Sequence, residues 1–531
     1  MRKYKFLFAS HPSTITRRDF LKSVNEAAVC CALSSLPGHF LSGIPSAKPK
    51  RPNVIYILVD DLGYGDVNFE LENTKEFRNL NIKTPCLAKL ARESLVFRHH
   101  YAASPVCSPS RAGLLTGRTP SRCNINQYIN DTKENDKFFL RGHEITIPEV
   151  LKSVGYKTSI FGKWHLNGAD WEKAESWLGW TGSFPKQQGF DHGIVCKEDP
   201  HFTRKLKVNT QKHPGDFFTV DGEPLGAIKG YSSDIISDRA ITWLKKNRDS
   251  SRPFFMYLSY DAVHIRVAAA DRYEQMYNTG DVRKDAYYAN ITHVDAAIGR
   301  LIETVDQLGL KEDTIIFFSS DNGPDVLRCW DATYFCYGTS YPLTGQKYQL
   351  YEGGIRVPGM VRWPGRISPG ISDEPNSTLD VLPTLCDLSG VQQPANLAID
   401  GTSIASHLLD GKSIKRKKPM YWQYEYPREY EVIGDGYERR LNGQRAKSEK
   451  LCPHVAIRIG DYILLGYQTQ RFKFPEKFKI FNVVNDPEQK RDLSIREPKR
   501  LEAMKSKLAV MYRDVNNERI RTARAIEKMK E

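Results

Sequence analysis

The chain has 531 residues, 40% hydrophobic and 11% aromatic, enough to bury a large core and far from the composition of a disordered or fibrous protein. Its formal charge of +14 suits anionic partners, yet no run of five or more lysines and arginines marks a nucleic-acid tail. No segment approaches the ~18 uncharged apolar residues of a membrane helix, which predicts no membrane span in the mature chain.

Residues 1–47 differ from the rest. Thr16-Arg17-Arg18-Asp19-Phe20-Leu21-Lys22 has the form of a twin-arginine export signal, followed by a weakly apolar run, 27–36, that Pro37 and Gly38 break. The expected processing lies near Ala47, the expected partner is the twin-arginine export machinery, and the expected location is periplasmic or secreted. Loss of six basic and two acidic residues leaves a body of charge +10. Eight cysteines remain without a CxxC pair, and Cys329 with Cys336 is the candidate disulfide in an exported protein.

The apolar runs 54–59 (VIYILV), 157–161 (KTSIF), 254–259 (FFMYLS) and 314–319 (TIIFFS) predict buried strands. They alternate with helical patterns at 85–94, 147–154, 234–246 and 286–308. The order predicts an α/β fold: a large, mostly parallel sheet sandwiched by helices. Beyond residue 400, strand-like pieces at 420–424, 455–459, 462–467 and 479–482 come without intervening helices. Pro498 then opens a helix striped by Leu501, Met504, Leu508, Met511 and Val515. The expected division is a signal segment 1–47, a catalytic domain 48–400, and a C-terminal subdomain 401–531 of antiparallel sheet plus terminal helix.

Ligands of open parallel sheets bind beyond the carboxyl ends of the strands. The first strand runs into Asp60-Asp61, and the fourth into Asp321-Asn322-Gly323. Either pair alone suits a turn; both at matching strand ends predict a hard divalent cation, calcium first and magnesium second. The second strand delivers Lys163 and His165, the third His264, and Lys347 precedes a turn-rich Tyr351-Glu352-Gly353-Gly354. These residues supply proton transfer and anion binding. In SPVCSPSRAG, Ser108 suits an N-cap and Pro109 a first helical position, with the helix ending near Gly117. Cys107 thus lies at a helix start that favours anions, with Arg111 one turn on. The set implies transfer of a tetrahedral oxyanion, phosphoryl or sulfuryl. A soft thiol beside a hard metal site remains unexplained by these residues alone.

The sequence resembles the type I sulfatases, the formylglycine-dependent members of the alkaline phosphatase superfamily. PVCSPSRAGLLTG at 105–117 matches their maturation signature, and GYKTSIFGKWH at 155–165 the second signature, with Phe161 where a smaller or β-branched residue is usual. RPNVIYILVDDLGYGD, FFSSDNG and LYEGGIRVP extend the likeness over roughly residues 51–500. The resemblance implies that a maturation enzyme oxidises Cys107 to formylglycine, whose hydrate is an oxygen nucleophile. It further implies calcium on Asp60, Asp61, Asp321 and Asn322, catalytic positioning by Arg111 and His165, and sulfate binding by Lys163, His264 and Lys347. The implied activity is sulfate-ester hydrolysis in an alkaline phosphatase-like fold.

Two departures lie at the rim: Ile265-Arg266-Val267 after His264, and Leu166-Asn167-Gly168 after His165. They bear on substrate identity more than on chemistry. The basic charge points to a sulfated carbohydrate as substrate. The stretch Tyr421-Trp422-Gln423-Tyr424-Glu425-Tyr426 offers either aromatic faces for sugar rings or a core strand.

Overall fold

A computed structural model describes residues 51–71, 76–129, 139–167, 184–196, 218–225, 228, 230–265, 267–326, 335–425, 452–467 and 473–528. The twin-arginine segment, Arg266, Cys329 and Tyr426 lie outside the described residues. Among the described residues no helix is long and apolar enough to cross a membrane.

The four predicted core strands lie within one ten-stranded sheet. Its order is Gly370–Ser372, Leu95–Phe97, Gly359–Arg362, Thr314–Ser320, Asn53–Val59, Phe254–Tyr260, Lys157–Lys163, His192–Cys196, Phe218–Val220, Glu223–Pro224. The five strands from Thr314–Ser320 to His192–Cys196 are mutually parallel, and antiparallel pairing begins on either side of them. Asn53–Val59, Phe254–Tyr260 and Thr314–Ser320 are buried along their whole length. The cause is helix cover on both faces. Ile55, Ile57 and Val59 pack with residues of helix Val282–Gln307, while Val54, Tyr56 and Leu58 share a core with helices Cys107–Thr116, Ile147–Ser153 and Val381–Ser389.

Element ends depart from expectation for local reasons. The strand expected to stop at Phe161 continues to Lys163 through Gly162, whose φ is 109°. A Cβ there would meet the Ser259 carbonyl oxygen at 2.0 Å, so glycine permits the close strand approach instead of ending the strand. The helix expected at 286–308 starts earlier, at Val282, where the Asp281 side chain accepts from the Arg283 amide.

The C-terminal strands Met420–Gln423, Val455–Ile459, Tyr462–Tyr467 and Lys477–Asn482 form an antiparallel sheet in chain order. One face packs on Tyr101, Val106, Leu350 and Ile355, and the other on Met504, Leu508, Met511 and Val515 of helix Pro498–Lys528. Tyr421, Trp422 and Tyr424 are buried, and Trp422 Nε1 donates to the Ala102 carbonyl at 2.8 Å. Within the aromatic stretch, residues 421–423 are therefore part of a core strand, with Tyr424 buried beyond its end. Cys336 is a buried thiol.

Candidate active site

The segments leaving the parallel strands are stitched together by their backbones. Asp60 N donates to Ala262 O (3.0 Å), Val263 N to Asp60 O (2.7 Å) and Asp321 N to Val59 O (3.2 Å). Asp61 turns the chain with φ 59°, a left-handed conformation that aspartate tolerates better than most residues. Helix Cys107–Thr116 then lays its first residue against this cluster and ends at left-handed Gly117, as expected. Its start differs from expectation: Val106 is the N-cap, Cys107 is the first helical residue, and Pro109 is third. Proline fits there because the first-turn N–H groups have no intrahelical acceptor. Ser108 caps nothing; its Oγ accepts from the Ile129 amide at 3.0 Å.

Nine of the ten expected site residues join one network around three buried carboxylates. Cys107 Sγ is 3.2 Å from Asp60 Oδ1, and Lys163 Nζ bonds Asp60 Oδ2. Arg111 reaches Asp321 Oδ2 from Nε (3.1 Å) and Nη2 (2.7 Å), lies 3.4 Å from Asp60, and donates to the Lys163 carbonyl (3.2 Å) and to Ser259 Oγ. Lys347 Nζ is 2.7 Å from Asp61 Oδ2 and 3.6 Å from Asp325, while His264 Nε2 is 3.7 Å from Asp61. His264 Nδ1 faces the Ile265 carbonyl at 2.6 Å. Asn322 Nδ2 donates to Asp61 Oδ1 and to the Gly323 carbonyl. His165, at φ 56°, stands one step out: its Nε2 is 2.8 Å from the Ile129 carbonyl, which ties it to the Cys107 helix through Ser108.

Burial pushes the Asp60 carboxyl up, but Lys163 and Arg111 outweigh it and hold the group well below the ordinary range. Asp61 and Asp321 are pushed up by burial and by the neighbouring carboxylates. Burial, then the Asp60 charge, raises the Cys107 thiol well above its ordinary value, so at neutral pH it keeps its proton. A thiol in that state is a poor nucleophile.

Residues 52–391 match the sulfatase family profile, and 345–438 match the profile described as N-sulphoglucosamine sulphohydrolase, C-terminal. The chain is 31% identical to arylsulfatase A of Bos taurus over 413 residues, 75% of each chain. The chain belongs to the sulfatase family. It is 30% identical to N-acetylgalactosamine-6-sulfatase of Homo sapiens, covering 71% of this chain and 69% of that one. The crystal structure of Ps i-CgsB superposes with a TM-score of 0.68 at 25% identity, over 87% of this chain and 93% of that one. The protein is a sulfuric ester hydrolase on the alkaline phosphatase-like fold expected from its sequence.

The sulfatase's oxygen set fits a divalent cation. Ligand atoms of Asp60, Asp61, Asp321 and Cys107 all lie within 4.8 Å of one another. Asn322 Oδ1 is buried with no hydrogen-bond partner, an acceptor that burial would otherwise penalise. In this buried cluster five carboxyl groups, of Asp60, Asp61, Asp261, Asp321 and Asp325, face three cations, Arg111, Lys163 and Lys347, an acid-rich set that suits a divalent cation. Ser259, Asp261 and Asp325 went unread in the sequence. Their signals were a serine within the apolar run FFMYLSY, the aspartate that directly follows that run, and a second acid in DNGPD.

Proposed function

We propose that this sulfatase is exported and releases sulfate from a sulfated carbohydrate, using formylglycine made from Cys107 and calcium held by Asp60, Asp61, Asp321 and Asn322. The observation that carries the reading is the Cys107 thiol: 2% exposed, and 3.2 Å from a carboxylate oxygen among the oxygen donors of Asp60, Asp61 and Asp321. That surrounding suits an oxygen nucleophile and a hard metal, for which the encoded thiol is a precursor. The aldehyde's hydrate supplies that nucleophile, and calcium supplies charge stabilisation for sulfuryl oxygens.

The protein's own groups do the rest. Arg111, clamped to Asp321 and the Lys163 carbonyl, gives a fixed cation beside residue 107. Lys163 and Lys347 bind sulfate oxygens as buried ammonium groups, and charge that builds on those oxygens meets cations already in place. His264, as an imidazolium whose Nδ1–H donates to the Ile265 carbonyl, gives its Nε2 proton to the departing alcohol, Lys347 being the alternative donor. His165 positions residue 107 through Ile129 and Ser108.

The carbohydrate assignment is supported by relatives named N-acetylgalactosamine-6-sulfatase and by the net positive charge. The twin-arginine segment supports export, and burial of Cys107 supports oxidation by a maturation enzyme before the fold closes. The test is peptide mass mapping of protein produced with a formylglycine-generating enzyme, together with sulfate release from sulfated oligosaccharides. Aldehyde at position 107 in active protein is expected; active protein carrying only the thiol would overturn the mechanism.

A further inference from the structure

Resting on that reading, the geometry points to a sugar-ring subsite beside the reaction centre, walled by Tyr128 and Tyr348. The Lys347 ammonium, which holds Asp61, lies 5.6 Å from the Tyr348 ring centroid. An ester oxygen within reach of Lys347 or His264 therefore has its carbon skeleton next to that ring. Tyr348 is fixed there by its own amide, which donates 2.9 Å to the carbonyl of Pro105, two residues before Cys107. Its φ of 72° is left-handed, a conformation that an aromatic residue adopts only when its surroundings impose it.

Tyr128 meets Tyr348 edge-on, with centroids 6.1 Å apart and planes at 69°. The next residue, Ile129, bonds Ser108 on one side and His165 on the other, so Tyr128 too is anchored to the groups around residue 107. Behind Tyr348, Tyr424 lies 6.5 Å away and is wholly buried. Tyr128 and Tyr348 are only half-buried. Two rings thus rest on the core formed with Tyr101, Val106 and Leu350 while each keeps part of its surface exposed. Such rings bury the apolar C–H face of a pyranose at small entropic cost, and the polar groups of the sulfate pocket fix its orientation. Aromatic faces for a sugar, sought in residues 421–426, are supplied instead by these two loops.

The experiment compares wild type with Tyr128→Leu, Tyr348→Leu and the corresponding Phe variants. Readouts are KM for N-acetylgalactosamine 6-sulfate and for 4-nitrophenyl sulfate, Ki for inorganic sulfate, and saturation-transfer NMR from protein to sugar protons. The Leu variants should raise KM about 3- to 10-fold, the worth of one aromatic contact. They should leave the sulfate Ki unchanged, which also shows that the site is folded, and they should weaken transfer to the sugar C–H protons. The Phe variants should behave as wild type. Unchanged KM with intact sulfate Ki, a Ki that rises in step with KM, or Phe variants as impaired as Leu would each overturn the subsite. Transfer to the sugar protons without sulfate release by wild type would instead overturn the proposed reaction on this sugar sulfate and leave the subsite standing.

Discussion

Replacing Arg111 by methionine tests whether the carboxylate cluster is held charged by its cations. The side chain is wholly buried, forks onto Asp321 Oδ2 at 3.1 and 2.7 Å, lies 3.4 Å from Asp60, and also bonds Ser259 and the Lys163 carbonyl. Methionine retains much of the volume, so the loss is chiefly of charge and hydrogen bonds. Removing one partner of a buried ion pair costs about 3–5 kcal/mol, because the remaining charge is left uncompensated. At roughly 2 °C per kcal/mol for a large domain, the melting temperature should fall by about 6–10 °C. Loss of one fixed donor at the reaction centre should lower kcat at least ~100-fold. Arg111→Lys should recover part of the stability, since charge returns without the planar fork. The assay is thermal unfolding at neutral pH, with calcium and after chelation, alongside sulfate release. A melting temperature within error of wild type in both conditions would refute the reasoning, since the carboxylates would then have to be neutral without Arg111.

Calcium at a hundred times its dissociation constant should stabilise the protein by about 2.7 kcal/mol, read as a rise in melting temperature reversed by chelation. Asn322→Leu should abolish that rise, and a full calcium response in this variant would remove Asn322 from the ligand set. Burial pushes Glu144 up, but Arg118, with His143 and Arg141, outweighs it and holds the carboxyl at about 2. Its folded value is thus below the unfolded one, so its stabilisation of about 3 kcal/mol is present above pH ~4.3 and is lost as pH falls toward 2. Urea midpoints of Glu144→Gln should trail wild type at pH 7, and the gap should close as pH falls to about 2 and below; a gap independent of pH would mean a packing defect instead. Trp422→Ala, which deletes a ring 2% exposed, 5.4 Å from Tyr101 and bonded to Ala102, should cost about 3–5 kcal/mol by chemical denaturation. A cost below 1 kcal/mol would show that the C-terminal sheet is not held to the body through this residue.

The central sheet was legible because each core strand is a continuous apolar run ended by polar residues, and burial on both faces demands that pattern. The carboxylates were legible for the same reason: Asp60, Asp61, Asp321 and Asn322 follow strand ends directly, so strand order alone brings them together. Lys347 has no such logic. It reaches Asp61 because its amide bonds the Pro324 carbonyl within the loop that follows Asp321, a tertiary contact that leaves no local pattern. Tyr128 and Tyr348 were hidden in the same way: the Tyr348 amide bonds the distant Pro105 carbonyl, and Tyr128 is placed by its neighbour Ile129, whose amide bonds Ser108. The Ser108 cap was misassigned because a serine before a proline fits the N-cap pattern, whereas Val106, which has no capping group, takes that position and Ser108 is drawn to Ile129.

Helix Cys107–Thr116 is buried on every side, unlike a surface helix with one apolar stripe. Its inner residues Ala112, Leu114 and Leu115 belong to the core on one face of the main sheet, while Val106 before it belongs to the core beneath the C-terminal sheet. Arg118 and Arg122, just past its end, pair with Glu518 and Asp514 of the terminal helix, and Arg122 also pairs with Asp400 at 2.8 Å. Cys107, the proposed precursor of the nucleophile, is therefore gripped from both cores and from the last helix of the chain. That accounts for a C-terminal sheet that supplies none of the ten expected site residues yet stands directly behind Cys107. It also makes the site depend on completed folding: the carboxylates, cations and thiol acquire their shifted charges only when water has been excluded from all sides of this helix.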